Sequence, residues 1–379
     1  MEITLASPNI GEEEAQAAYD VVKSGWLNEG KKVERFEVDF ANFIGTRHAV
    51  AFFNGTVALH SALVALNLGP GDEVIVPSFT FMSTANSVLF TGARPVFADI
   101  DDRTFNIDPE SVTEKISRRT RAIIPVHYGG QSADMKPLSE IAEDRNLLMV
   151  EDAAEAHGAL YRDRKVGTFG NAGMFSFTPT KNITTGEGGM ITTNDTKLSE
   201  RLRLLKNHGM SAPYHHVILG YNYRMTEVQG AIGIEQLKKL PAIIATKQKN
   251  QAYLTKALAS VKGITPPFVP PDRNHVYMLY TIQIDEEATG VSRDAFMQEL
   301  QKKGIMTKIY FPPAHLQPYY REIGYDDRLP VTEKIFSSIC SLPCHSKLSG
   351  PELDYIIASI QEIIGYSEKK SSINPENIR

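Results

Sequence analysis

The chain has 379 residues, 42% hydrophobic and 22% charged, with 40 Lys+Arg against 45 Asp+Glu for a formal net charge of −5. It is too long for one ordinary domain and too apolar for wholesale disorder, so two closely packed lobes are expected; the slight acidic excess argues against a nucleic-acid binder. No run approaches the roughly 20 apolar residues of a membrane span, residues 1–14 lack a basic-then-apolar signal pattern, and two cysteines, Cys340 and Cys344, cannot build a disulfide framework, so a cytoplasmic setting with no membrane partner is expected.

Residues 11–45 read as two helices packing outside the main sheet. From Asn54 to about Ile191, short β-branched apolar runs alternate with helical stretches. Strands are predicted over 73–77, 95–99, 122–126 and 147–151, and helices over 56–66, 83–90, 109–116 and 136–145. Pro109 behind Asp108 reads as a first-turn proline after an N-cap. This alternation predicts an α/β fold with a mostly parallel central sheet flanked by helices, with ligands beyond the carboxyl ends of the strands. Two further strands follow over 174–178 and 190–193, then helices over 199–207 and 227–244. The remainder mixes helices (247–258, 292–302, 351–364) with strands (276–284, 306–309). The expected division is a large α/β domain over 1–245, N-terminal helices included, and a small α+β domain over 246–379 whose tail, 367–379, reads as polar and mobile.

No G-x-G-x-x-G follows a strand and no P-loop occurs, so the two commonest nucleotide motifs are missing. Cys340-x-x-x-Cys344-His345 reads as a buried cysteine and a loop histidine, because structural zinc wants four ligands at tighter spacing, and no metal is expected. Four other clusters fall at strand ends. Asn54-Gly55-Thr56 precedes a helix, where free N–H groups suit a phosphate, although Thr56 as a plain N-cap is the simpler alternative. Glu151-Asp152-Ala153-Ala154-Glu155-Ala156-His157 closes an apolar strand. Asp152 there either pairs with Arg or Lys as a structural bridge or holds a protonated ring nitrogen. Phe175-Ser176-Phe177-Thr178-Pro179-Thr180-Lys181 is a strand leading to a lysine, a nucleophile if its amine is desolvated. Gly186-Glu187-Gly188-Gly189 is a permissive turn able to fold the lysine loop over a pocket. A phosphate seat, a strand-end carboxylate, a hydroxyl and a lysine five residues later are the parts of a pyridoxal-phosphate site.

Those stretches, with Pro77-Ser78-Phe79-Thr80-Phe81, Gly220-Tyr221-Asn222-Tyr223-Arg224-Met225 and Pro313-Ala314-His315-Leu316-Gln317-Pro318-Tyr319, resemble the DegT–StrS family of sugar aminotransferases, within the fold-type-I pyridoxal-phosphate enzymes. The resemblance spans about residues 8–365. It implies that Lys181 forms the Schiff base with pyridoxal 5'-phosphate, that Asp152 partners the pyridinium, and that Gly55, Thr56 and Ser176 bind the phosphate. Phe81 would lie near the ring, Asn222 would reach the phosphate across a homodimer with shared active sites, and Tyr310 and His315 would line the sugar pocket. The implied reaction is ping-pong transfer from an amino acid, glutamate by resemblance, through the pyridoxamine 5'-phosphate form to a nucleotide-linked keto-deoxy sugar. Glu155 stands where Gln or His is common in the family. Some synthases that aminate the 4-keto carbon, such as perosamine synthases, carry Glu there, so a 4-keto sugar is favoured over a 3-keto one. A non-catalytic regulatory protein on the same fold is the alternative that an intact Lys181, Asp152 and Ser176 oppose.

Overall fold

Strands covered by helices on both faces must be apolar on both faces, and the β-branched runs of this chain meet that condition. The computed structural model describes residues 2–371, with side chains through 365. Its central sheet contains β1 (His48–Phe52), β2 (Glu73–Pro77), β3 (Arg94–Ala98), β4 (Thr120–Ile123), β5 (Leu148–Asp152), β6 (Ala172–Ser176) and β7 (Gly189–Thr193). The seven strands lie in the order β1-β7-β6-β5-β4-β2-β3. β7 pairs antiparallel with both β1 and β6, and the other neighbours are parallel. β1 escapes the sequence pattern because two of its five residues are alanine, which carries little strand preference. The other six strands lie within three residues of their predicted bounds.

The helices α1 (Glu12–Ser24) and α2 (Lys31–Ile44) pack outside this sheet, against α8 (Glu227–Leu258). Gly30 gives α2 no side-chain cap. Glu227 of α8 replaces it, its carboxylate accepting from the N–H groups of Lys32 at 2.9 Å and Val33 at 3.0 Å. The connecting helices α3 (Gly55–Ala65), α4 (Ser83–Phe90), α5 (Pro109–Lys115), α6 (Met135–Asp144) and α7 (Thr196–Lys206) follow the predicted alternation. Asp108 caps α5 with Pro109 in the first turn, as read from the sequence.

The pattern predicts two helices across 227–258, whereas α8 is one helix of 32 residues. The polar stretch around Lys247, Asn250 and Gln251 interrupts the apolar period, yet all three side chains are buried. α8 also runs through the expected division at 245. Leu237, Leu240 and Ile243 pack with Phe36 and Phe40, while Leu254 and Leu258 join a second core with Ile282, Phe296 and Ile360. That second core covers an antiparallel sheet of Ile264–Thr265, Tyr280–Ile284 and Ile339–Leu342. Tyr277, at φ 49°, delays the strand predicted from 276, and the one predicted over 306–309 reduces to a single bridge between Lys308 and Ser341. The last helix, Gly350–Ser371, takes in the first residues of the expected tail; 372–379 lie outside the described residues. Among the described residues no helix is long and apolar enough to cross a membrane.

Candidate active site

The carboxyl ends of β1, β2, β5 and β6 and the amino end of β7 meet at one edge of the sheet. That is where a parallel sheet presents ligand-binding loops. A cavity of about 460 Å³ opens there, lined by Gly55, Thr56, Asp152, Glu155, Ser176 and Lys181 among others.

One wall is the start of α3. Asn54, not Thr56, is the N-cap: its Oδ1 accepts from the N–H of Val57 at 3.0 Å. Thr56, two residues later, is therefore left to face the cavity, its hydroxyl 2.7 Å from that of Ser83. Two glycines make this wall. A Cβ on Gly55 would stand 2.9 Å from Cβ of Ser176, and one on Gly189 would stand 2.3 Å from the carbonyl oxygen of Asn54. Bare backbone at both positions lets β6, β7 and α3 close on one another. The uncapped N–H groups of the helix start, the missing Cβ and the hydroxyls of Thr56, Ser83 and Ser176 form a cradle suited to a phosphate.

Side chains on β5 alternate in direction, so adjacent carboxylates do different work. Glu151 is fully buried and points away from the cavity. It accepts from the N–H groups of Gly167 at 2.7 Å, Phe169 at 2.7 Å and Gly170 at 2.9 Å, and bonds Nε2 of His127 at 3.1 Å. Asp152 faces the cavity while remaining 5% exposed. It accepts from the Thr84 hydroxyl at 2.7 Å and the Ala154 N–H at 3.2 Å. Burial pushes its pKa up; those two hydrogen bonds and the nearby Lys181 charge oppose the shift. No Arg or Lys among the described residues makes an ion pair with it, which overturns the structural-bridge alternative. A buried carboxylate that opens on a cavity with no ion-pair partner of its own suits a ligand that brings its own positive charge.

Lys181 enters from the opposite side. Its Nζ lies 3.2 Å from Oε1 of Glu155, whose Oε2 accepts from the Gly129 N–H at 2.8 Å. The lysine loop is folded back by Phe177 N–H to Gly188 carbonyl and Thr185 N–H to Phe177 carbonyl bonds, at 2.9 and 3.0 Å, with Gly186 at φ 83°. α8 grips the loop from outside: Gln236 Oε1 accepts from the Thr184 N–H at 3.1 Å, and Gln229 Nε2 donates to the Glu187 carbonyl at 2.6 Å. His157 is buried among Phe40, Phe175 and Phe177 behind this loop, and burial drives its pKa down to about 3.

Phe81, 59% exposed, and Tyr310 also line the cavity; the Phe81 ring faces that of Phe311 at 5.9 Å. His315 does not line it. It is buried, with Nδ1 2.6 Å from the Ser78 hydroxyl and Nε2 3.3 Å from Glu333. Asn222 is exposed and outside this chain's cavity, in a bridge with Asn207. Sequence reasoning passed over Thr84, Ser83, Lys308 and Phe311, which all border the cavity. The hydroxyl-rich run after β2 was the available signal for the first two. Cys340 and Cys344 are both buried, and no group of three or more His, Cys, Asp or Glu side chains among the described residues is arranged to hold a metal.

The DegT/DnrJ/EryC1/StrS aminotransferase family profile matches residues 8–361. The chain is 41% identical over 366 residues to GDP-perosamine synthase of Caulobacter vibrioides, covering 96% of this chain and 98% of that protein. It is 40% identical over 372 residues to the spore coat polysaccharide biosynthesis protein SpsC of Bacillus subtilis, covering 94% and 96%. Among solved structures it is similar to S. venezuelae DesV in complex with a ketimine intermediate, with TM-score 0.89, 37% identity and coverage of 93% and 94%. The α/β aminotransferase architecture expected from the sequence is borne out by this likeness. With a matched profile over nearly its whole length and relatives that are sugar aminotransferases, the chain is an enzyme of this kind and belongs to the DegT/DnrJ/EryC1/StrS aminotransferase family.

Proposed function

We propose that the chain transfers an amino group from glutamate to carbon 4 of a nucleotide-linked keto-deoxy sugar, with pyridoxal 5'-phosphate as the carrier. One observation carries the reading: Asp152, a buried carboxylate with no ion-pair partner, opens on the same cavity as the Lys181 amine. The residues present fit the carrier. The α3 start with Gly55, Thr56 and Ser176 would hold its phosphate, Asp152 its ring nitrogen and Lys181 its aldehyde carbon, with Phe81 and Glu155 beside the ring. When bound, that group supplies an electron sink next to the reacting carbon and carries the amine between substrates as pyridoxamine 5'-phosphate. Asp152 holds a proton on the ring nitrogen by its charge. The Lys181 amine would take the proton from the donor's α-carbon and deliver it to the carrier's former aldehyde carbon, as a general base and then acid. Glu155 orients that amine. Tyr310 faces the sugar, and Asn222, exposed on this chain, serves the phosphate of a second copy in a homodimer. The choice of carbon 4 is supported by the similarity to GDP-perosamine synthase and by Glu155.

The test is spectroscopic. Glutamate added to cofactor-loaded protein should replace the absorbance of the aldehyde form by that of the amine form, and a 4-keto nucleotide sugar should restore it. No change with any amino donor would leave a binding protein, and restoration by 3-keto sugars alone would move the site of amination.

A Gly55→Ala variant should fold but bind the cofactor ten- to one-hundred-fold more weakly, about 1.4–2.7 kcal/mol, because the added methyl meets Ser176 at the phosphate seat. Titration of the cofactor-free protein measures this. Unchanged affinity would place the phosphate elsewhere.

A further inference from the structure

α8 carries a lysine that this chemistry does not use. Lys247 is only 4% exposed, and among the described residues no carboxylate forms an ion pair with it. Burial draws its pKa below the ordinary lysine value. A desolvated ammonium without a counter-ion is a standing cost to the fold, and an apolar side chain of the same length would avoid it.

What the ammonium does is orient an amide. Lys247 Nζ donates to Oδ1 of Asn182 at 2.7 Å, and Asn182 directly follows Lys181. An ammonium is donor-only, so Asn182 must turn its oxygen toward Lys247 and its NH2 the other way. Nδ2 of Asn182 accordingly donates to the Val276 carbonyl at 3.0 Å. The Val276 N–H donates to the Gly130 carbonyl at 2.9 Å, and the neighbouring Gly129 N–H donates to Oε2 of Glu155 at 2.8 Å. Glu155 Oε1 closes the circuit at 3.2 Å from Lys181 Nζ. The path is tightly packed: a Cβ on Gly130 would stand 2.9 Å from Cγ2 of Val276 and 3.0 Å from the Glu155 carbonyl oxygen. The backbone behind the lysine and the carboxylate in front of it are thus tied to the same segment.

We propose that Lys247 is a positioning residue, which through Asn182 fixes the backbone from which Lys181 projects, so that its amine is held against Glu155 at the cavity. The proposal rests on the reading of Lys181 as the reacting amine. It explains why a buried charge is kept where stability alone favours an apolar side chain.

Lys247→Met keeps the length and removes the charge. Its melting temperature should equal or exceed that of the parent, cofactor content should be retained, and KM values should stay within about two-fold while kcat falls about ten-fold or more. In the cofactor-free protein, amide hydrogen exchange over residues 181–185 should quicken about ten-fold. Asn182→Ala should reproduce both effects, and the double variant should be no worse than either single one, since both break one linkage. A lowered melting temperature with unchanged kcat and unchanged loop exchange would make Lys247 a structural residue only. Additive losses in the double variant would equally overturn the proposal. If the parent protein transaminates no substrate, the functional reading fails by itself, while melting and exchange of the cofactor-free variants still decide whether Lys247 holds the loop.

Discussion

Replacing Lys181 by alanine should abolish turnover, lowering kcat at least ~1000-fold, or about 4 kcal/mol, while the protein still folds and takes up the cofactor without covalent attachment. The size follows from what the cavity lacks once this amine is gone. Its other lining lysine, Lys308, is exposed at the side formed by Tyr310 and Phe311. The carboxylates Asp152 and Glu155 are held in place by other groups, Thr84 with the Ala154 N–H and the Gly129 N–H respectively. Lys308 Nζ sits over the Tyr310 ring, 5.2 Å from its centroid, and no other lysine among the described residues lines the cavity. Cofactor uptake survives because the phosphate seat and Asp152 do not depend on the lysine. Lys181→Arg should keep a cation beside Glu155 but remain inactive, since a guanidinium neither condenses with an aldehyde nor gives up its proton at neutral pH. Borohydride reduction followed by peptide mass spectrometry provides the independent readout: the label should sit on Lys181 in the parent and be absent from both variants. Substantial activity in the alanine variant, or a label on another side chain, would remove Lys181 from its role.

Much of this site was legible because its parts lie at strand ends, and strand ends are set by local pattern. Asp152 and Ser176 close the parallel strands β5 and β6 and Lys181 follows β6, so their meeting at one edge follows from parallel topology; Gly55 follows β1, a strand the pattern does not give, which joins the sheet only through antiparallel β7. Details of the wall at the start of α3 were less legible. Thr56 looked like the cap because threonine caps helices, but Asn54 two residues earlier accepts the bond instead, and only the backbone path decides between them. The grip of α8 on the lysine loop was not legible at all. Gln229, Gln236 and Lys247 lie 42 to 65 residues from the groups they hold, and a helical pattern does not say what a polar side chain on it reaches. His315 illustrates the opposite error of proximity: it sits two residues from Pro313 in a loop expected at the substrate, yet its ring turns inward to Ser78 and Glu333. Motif position fixes where the backbone goes; it does not fix which way a ring points.

Asp152→Asn should separate catalysis from folding in the opposite sense to an ordinary core substitution. Asparagine keeps the shape and can still accept from the Ala154 N–H, while the Thr84 hydroxyl, which also lies 2.9 Å from that of Thr80, can turn to that partner. What is lost is the negative charge. With no anion facing it, the ring nitrogen of the cofactor would shed its proton and the electron sink would weaken, so turnover should fall at least about 100-fold, some 2.7 kcal/mol. Stability of the cofactor-free protein should move the other way. Burial raises the folded-state pKa of Asp152 above the unfolded value of about 3.9, so the native state binds this proton more tightly than the unfolded state does. Its stabilising contribution is complete below the unfolded pKa and is lost as pH rises through the folded one. Above the folded pKa the parent therefore carries a desolvated charge that the variant lacks, and there the cofactor-free variant should melt at the same temperature or higher. As the pH falls through the folded pKa toward the unfolded one that advantage should shrink and vanish, because the carboxyl is then neutral in both states. Cofactor should stabilise the parent more than the variant, since only the parent presents a charge to the ring nitrogen. Melting curves from pH 4 to pH 8, with and without cofactor, test all three statements. A cofactor-free variant markedly less stable than the parent at neutral pH would mean that Asp152 is held there by the fold and not for the ligand.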